Sequence, residues 1–202
     1  MHRFPSQLAF RVALVSLLAL AGCDRGQPGN ATVPAVQAPP VTAPAPAESS
    51  PASAGLARFD GYGDMRFGMT AAEATRAWGG DLNGKPGTGE LCYYLNPVSN
   101  RSPAYFAFMI EADRFVRYDV GNDKEVTPGG GRAGMTADQI RALYGDRIEQ
   151  QPHKYVEGGK VLRIKANDGS ENALVFEVDA AGRVTAWRVG QAPQVDYVEG
   201  CS

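Results

Sequence analysis

One segment of this chain occurs twice, and that constrains the fold more than any other feature. Arg66-Phe-Gly-Met-Thr-Ala-Ala-Glu73 matches Arg132-Ala-Gly-Met-Thr-Ala-Asp-Gln139, 66 positions later. Downstream, Arg114-Phe-Val-Arg-Tyr-Asp-Val-Gly121 lines up with Arg183-Val-Thr-Ala-Trp-Arg-Val-Gly190, and Phe108 and Ile110 with Phe176 and Val178. Two helix starts could converge by chance, but here the strand matches follow in the same order. The pattern reads as a duplicated unit, with repeat one at about 58–125 and repeat two at about 126–202.

Each unit opens on a helix signal. Thr70 with Glu73, and Thr136 with Gln139, have capping-box spacing, in which each side chain satisfies a free backbone amide of the first turn. Met69 with Ala74 and Met135 with Ile140 stand at hydrophobic-staple positions. Gly79 and Gly145 supply a helix end tolerant of positive φ. The helices are therefore expected to be short, about nine residues, and stable only when packed.

Strand patterns follow. The first unit predicts strands over 91–95, 104–111 and 115–120, and the second over 154–157, 160–166, 172–179 and 183–190. Turns fall at Gly158-Gly159, Asn167-Asp168-Gly169 and Ala181-Gly182. Consecutive short strands joined by tight turns pair antiparallel. The expected fold is α+β: two tandem helix-plus-antiparallel-meander repeats with helices packed on a sheet.

Alternation places Phe106, Phe108, Ile110, Val116, Tyr118 and Val120 on the face under the helix. Their counterparts are Leu174, Phe176, Val178, Thr185, Trp187 and Val189. The opposite face of unit one carries Tyr105, Ala107, Met109, Phe115 and Arg117, extended by Tyr93 or Tyr94 according to register. Either other parts of the chain cover this face, or its aromatic, Met and Arg side chains form a binding surface. On the second reading Tyr105, Met109, Phe115 and Arg117 are the binding residues.

This helix-plus-meander duplication resembles the tandem-repeat fold of beta-lactamase inhibitor proteins. The Gly-Met-Thr-x-x-Glu/Gln helix start also resembles that of the small outer-membrane lipoproteins of the barrel-assembly machinery, which have one such unit. The resemblance implies a non-enzymatic protein binder and transfers no contact residue.

The N-terminus carries a different message. His2, Arg3 and Arg11 precede the apolar run Val12–Ala21, too short to span a bilayer comfortably and shaped like a secretory signal peptide over residues 1–22. It ends in Leu20-Ala21-Gly22-Cys23, which resembles the lipobox of bacterial lipoproteins. The resemblance implies that Cys23 becomes a lipidated mature N-terminus, anchored to a membrane by its acyl chains. Asp24 leans towards the inner membrane by the rule of enteric bacteria, although other lineages read that position differently. Seven of the 14 prolines lie between Asp24 and Gly55. Residues 23–55 therefore read as the lipidated cysteine and a disordered Pro/Ala-rich tether, reaching on the order of 100 Å if extended. The folded domain occupies 56–202.

Two cysteines remain, Cys92 and Cys201. In an exported chain such a pair reads as a disulfide, tying the chain end to the first half of the domain. The domain holds 17 Lys and Arg against 20 Asp and Glu, so no basic excess exists to engage nucleic acid.

Catalytic signals are thin. After signal removal the single histidine is His153, expected as a polar or capping residue without a thiol partner. Ser99, Ser102, Ser170 and Ser202 lie outside any Gly-x-Ser-x-Gly elbow. The acidic stretches 122–125 and 167–171 lack calcium-loop spacing, and Thr127-Pro-Gly-Gly-Gly-Arg132 lacks a phosphate-loop ending. Glu111, Asp113 and Asp119 are the carboxylates available for a glycosidase pair. The expectation is a non-enzymatic lipoprotein of the bacterial cell envelope, its domain in the periplasm, with no metal or cofactor. It binds an envelope or periplasmic protein, as inhibitor or assembly scaffold. A carbohydrate- or peptidoglycan-binding lipoprotein and an envelope hydrolase are the alternatives.

Overall fold

A computed structural model describes residues 55–100 and 102–201. The expected signal peptide, Cys23 and the expected tether, up to residue 54, lie outside the described residues. The chain opens with three two-residue strands, β1 (Ala57–Arg58), β2 (Gly61–Tyr62) and β3 (Met65–Arg66), followed by α1 (Ala71–Trp78). Then come β4 (Leu82–Asn83), β5 (Cys92–Pro97), β6 (Phe106–Glu111) and β7 (Arg114–Val120). Helix α2 (Ala137–Tyr144) leads through a 3-10 turn into β8 (Ile148–Pro152), β9 (Lys160–Lys165), β10 (Ala173–Val178) and β11 (Val184–Gly190). The class is mixed α and β, with few helical residues and a large antiparallel sheet of order β4-β5-β6-β7-β11-β10-β9-β8.

Both helix starts follow the local chemistry. The Glu73 and Gln139 amides donate to Thr70 and Thr136 Oγ1 at 3.2 Å, and the Glu73 and Gln139 side chains accept from the threonine amides at 2.8 Å. Backbone pairing then seats each start on its sheet. The Gly68 and Gly134 amides donate to the carbonyls of Phe115 and Val184, and those residues' amides donate to Met69 and Met135. Replacing Thr136 with Ala is expected to cost about 1 kcal/mol. A urea midpoint unchanged by that substitution would show that the cap carries no stability.

The helix ends differ. Gly79 is left-handed at φ 75°, ψ 4°, as expected of a helix-terminating glycine. Gly145 has positive φ, but its ψ of −135° takes the chain into the 3-10 turn Gly145–Arg147 and then β8. The strand expected over 154–157 is therefore found at Ile148–Pro152, and 154–157 lies in the β8–β9 turn. His153 drives that turn: its Nδ1 accepts from the Tyr155 and Val156 amides, removing them from any ladder.

The core lies between the helices and one sheet face. It gathers Phe106, Phe108, Ile110, Tyr118 and Val120 with Leu174, Phe176, Val178, Trp187 and Val189. One expectation fails. Phe115, not Val116, completes the β7 contribution to this core, because a bulge shifts the register from Met109↔Arg117 to Ile110↔Phe115. A one-residue shift exchanges the two faces of a strand. The corresponding change in β10–β11, from Glu177↔Ala186 to Val178↔Val184, puts Val184 in the core and leaves Thr185 exposed. Phe115 stacks edge-on against Phe108, with ring centroids 5.7 Å apart. The strands β1–β3 close one end of this core through buried Tyr62 and Met65, and Tyr118 Oη donates to Arg58 O.

Candidate functional site

The helix-free sheet face was one candidate, and the chain itself covers much of it. Ala107 and Met109 are fully buried and Arg117 is only 3% exposed. The cover is the segment after β11. Arg117 Nη1 donates to Gln194 O at 2.9 Å and Tyr197 O at 2.6 Å, while its Nε and Nη2 hold Asp119. Arg188 Nε donates to Val195 O at 2.6 Å and its Nη1 to Glu177. Val195 seats against Ala173 and Val175. The Cys92–Cys201 disulfide is present, across 109 residues of sequence, and fixes the end of the segment to β5.

Three of the four sequence-predicted binding residues are thus interior. Met109 and Arg117 lie beneath the C-terminal strap and Phe115 in the opposite core. Tyr105 remains surface-exposed at 38%, in the turn before β6, so the four do not form one face. Burial works against the Arg117 charge, but the adjacent Asp119 carboxylate outweighs it and the guanidinium pKa stays raised. Burial also pushes the neighbouring Tyr94 phenol up to about 12. Arg117 and Arg188 are thus each paired with a carboxylate and tied to carbonyls of the strap.

Where the strap meets β5 it leaves a cleft of about 820 Å³, whose walls include Leu91, Glu111, Lys154, Tyr197, Val198 and the disulfide. Leu91 is 72% exposed, and Tyr197 is also exposed. Lys154 donates to Glu199 at 3.0 Å and sits 4.9 Å from the ring centre of Tyr155. Tyr155 and Val156 are both exposed, on the turn that His153 holds. Arg188 stands in the repeated strand block and Leu91 at a predicted strand start, but neither these nor Val195 and Tyr197 carried a site motif. Their one advance signal was Cys201, whose bond to Cys92 obliges the chain end to cross the sheet.

A second cleft, of about 320 Å³, opens between α1, the turn before β6 and the segment after β7. Trp78, Tyr62, Tyr105 and Phe106 provide rings, and Lys124 and Glu125 provide charge. Tyr62 Oη donates to Glu125 Oε2 at 2.6 Å. Burial and that carboxylate both push the Tyr62 phenol well up, so it remains a protonated donor. Asn122 Oδ1 accepts from the Lys124 and Glu125 amides while its Nδ2 donates to Tyr105 O, which fixes both rims of the cleft.

The remaining candidates have structural employment. Asp168 caps the β9–β10 turn by accepting from the Ser170 amide. The glycine-rich segment 127–132 folds back on Thr127, whose hydroxyl contacts Tyr144 Oη at 2.6 Å. Of the three carboxylates, Glu111 accepts from Gln194 and Asp119 pairs with Arg117, and Asp113 stands in the β6–β7 turn at φ 60°. Among the described residues no group of three or more His, Cys, Asp or Glu is placed to hold a metal ion. Nor is any helix there long and apolar enough to cross a membrane.

Neither a protein-family model nor a curated protein matches this chain. Among solved structures it is similar to an extracellular protein containing a SCP domain from Bacillus anthracis str. Ames, at 9% identity and a TM-score of 0.40. The match covers 62% of this chain and 44% of that one, so the chain spans less than half the length of that protein. Likeness at that level does not define a shared fold.

Proposed function

We propose that this chain is a non-enzymatic lipoprotein of the bacterial cell envelope, a duplicated domain on a tether that binds a protein partner in the periplasm. Several matched features support the duplication. The two helix starts carry the same capping box and the same pair of backbone bonds to their sheets. The two central hairpins shift register at matched positions. The sheet order runs outward from β7 and β11 in mirrored sequence. Lipidation of Cys23 is supported by Leu20-Ala21-Gly22-Cys23 behind an apolar run.

The observation that carries the binding reading is the cleft at the disulfide, with Leu91 and Tyr197 exposed on its walls and Tyr155 beside its Lys154. Apolar and aromatic side chains gathered at a concave surface are what a protein interface uses as anchors. Catalysis is disfavoured by the use made of His153. One ring nitrogen accepts two backbone amides and the other faces Glu177 at 3.9 Å, which leaves a general base without a nucleophile to activate.

A photo-crosslinker at Leu91 of the full chain, expressed in its cells, is expected to trap one discrete protein. Tyr197→Asp should reduce that adduct at least fivefold. Crosslinks no stronger than those from a probe at exposed Asp146 would overturn the reading. Separately, Cys23→Ser is expected to move the chain out of the membrane fraction; full retention there would remove the lipid anchor from the proposal.

A further inference from the structure

The aromatic cleft beside α1 takes no part in the proposed protein-binding surface, and its chemistry is different. We infer that it is a binding site for a neutral sugar of one or two pyranose rings. Its volume of about 320 Å³ lies at the lower end of the range for small-ligand pockets, roughly 300–1,000 Å³. Trp78 is held in place from below by core rings: buried Tyr62 and Phe106 each stand 6.2 Å from it between ring centroids. Tyr105 stands on the rim, its backbone held by the Asn122 amide and the Gly121 N–H. Trp78 and Tyr105 are the two of these rings that reach solvent, and they offer apolar faces to the C–H face of a pyranose, while the sugar's rim of hydroxyls seeks donors and acceptors.

Those polar partners are present and uncommitted. Glu125 spends Oε2 on Tyr62, and its Oε1 has no partner among the described residues. The same holds for the Lys124 ammonium and the Trp78 indole N–H. Lys124 and Glu125 are adjacent and opposite in charge, so the cleft favours neither an anion nor a cation. A ligand with apolar faces, many hydroxyls and no net charge satisfies all of these features. A purely apolar ligand would cover the half-buried Glu125 carboxylate without giving its free oxygen a partner.

The chain contains two tryptophans. Trp187 is only 1% exposed, whereas Trp78 lines the cleft, so ligand-induced changes in emission report mainly on Trp78. Titrating the full chain with chitobiose and with cellobiose should give a saturable emission change with at least one of them, confirmed by calorimetry. Tyr105→Ala and Glu125→Gln should each weaken that binding at least tenfold with the far-ultraviolet spectrum unchanged. Leu91→Asp, in the other cleft, should leave it unaltered, which separates this site from the protein-binding surface. The inference is overturned if neither disaccharide gives a saturable change, or if Tyr105→Ala binds as tightly as the parent.

Discussion

Serine at both Cys92 and Cys201 is expected to destabilise the domain by about 3–5 kcal/mol. The bond closes 109 residues of chain, and restricting the unfolded ensemble over a loop of about 100 residues is worth up to roughly 4.7 kcal/mol in the chain-entropy model. A second contribution comes from the native side, because the bond holds the strap over Met109 and Arg117. For a domain of this size each kcal/mol moves the melting temperature by about 2–4 °C, so the loss should be on the order of 10 °C. Calorimetry of the full chain measures it. A change under about 2 °C would mean that the strap is held by its polar contacts alone.

The second large effect concerns one of those contacts. Arg117→Leu removes the donor for Asp119 and for the carbonyls of Gln194 and Tyr197 at a position almost without solvent. Breaking a buried pair from one side costs about 3–5 kcal/mol. The Asp119 side chain is 23% exposed and partly rehydrates, which puts the expected loss near the lower end, with the carbonyls of Gln194 and Tyr197 left without their donor. Adding Asp119→Leu should recover part of this loss, since the pair then disappears together and the coupling appears in the double-mutant cycle. Arg163→Leu offers the contrast. Its partners Asp196 and Glu149 are about half exposed, so water can replace the arginine and the cost should be under about 1 kcal/mol. Urea unfolding of these three variants and of Asp119→Leu alone distinguishes these cases. Equal losses for Arg117→Leu and Arg163→Leu would show that burial does not govern the strap's attachment.

Legibility of the fold followed the range of the interactions. Thr70, Glu73, Thr136 and Gln139 announce their helices because a cap is made within four residues. The strands of the two central hairpins were readable to within two residues at each end, since alternation and turn glycines act locally. The strands β1–β3 were not, because two residues carry no period. The shift from 154–157 to 148–152 arose when His153 took two amides that a strand would have paired. The bulge at Val116 was invisible because one extra residue leaves composition unchanged while exchanging the faces of everything before it.

The candidate sites divide in the same way. Tyr105, Met109, Phe115 and Arg117 all have the composition of an interface, and composition cannot say which side of a sheet the rest of the chain will occupy. Pattern alone supplied the class of fold, the places where helices start and the two cysteines that pair, because each depends on chemistry between near neighbours or on the simple count of thiols. Only the tertiary structure decided that Phe115 turns inward, that Arg117 holds the C-terminal strap, and that clefts open at the disulfide and beside Trp78. Burial is set by segments far apart in sequence, and a one-residue change in register is enough to turn a predicted surface into core.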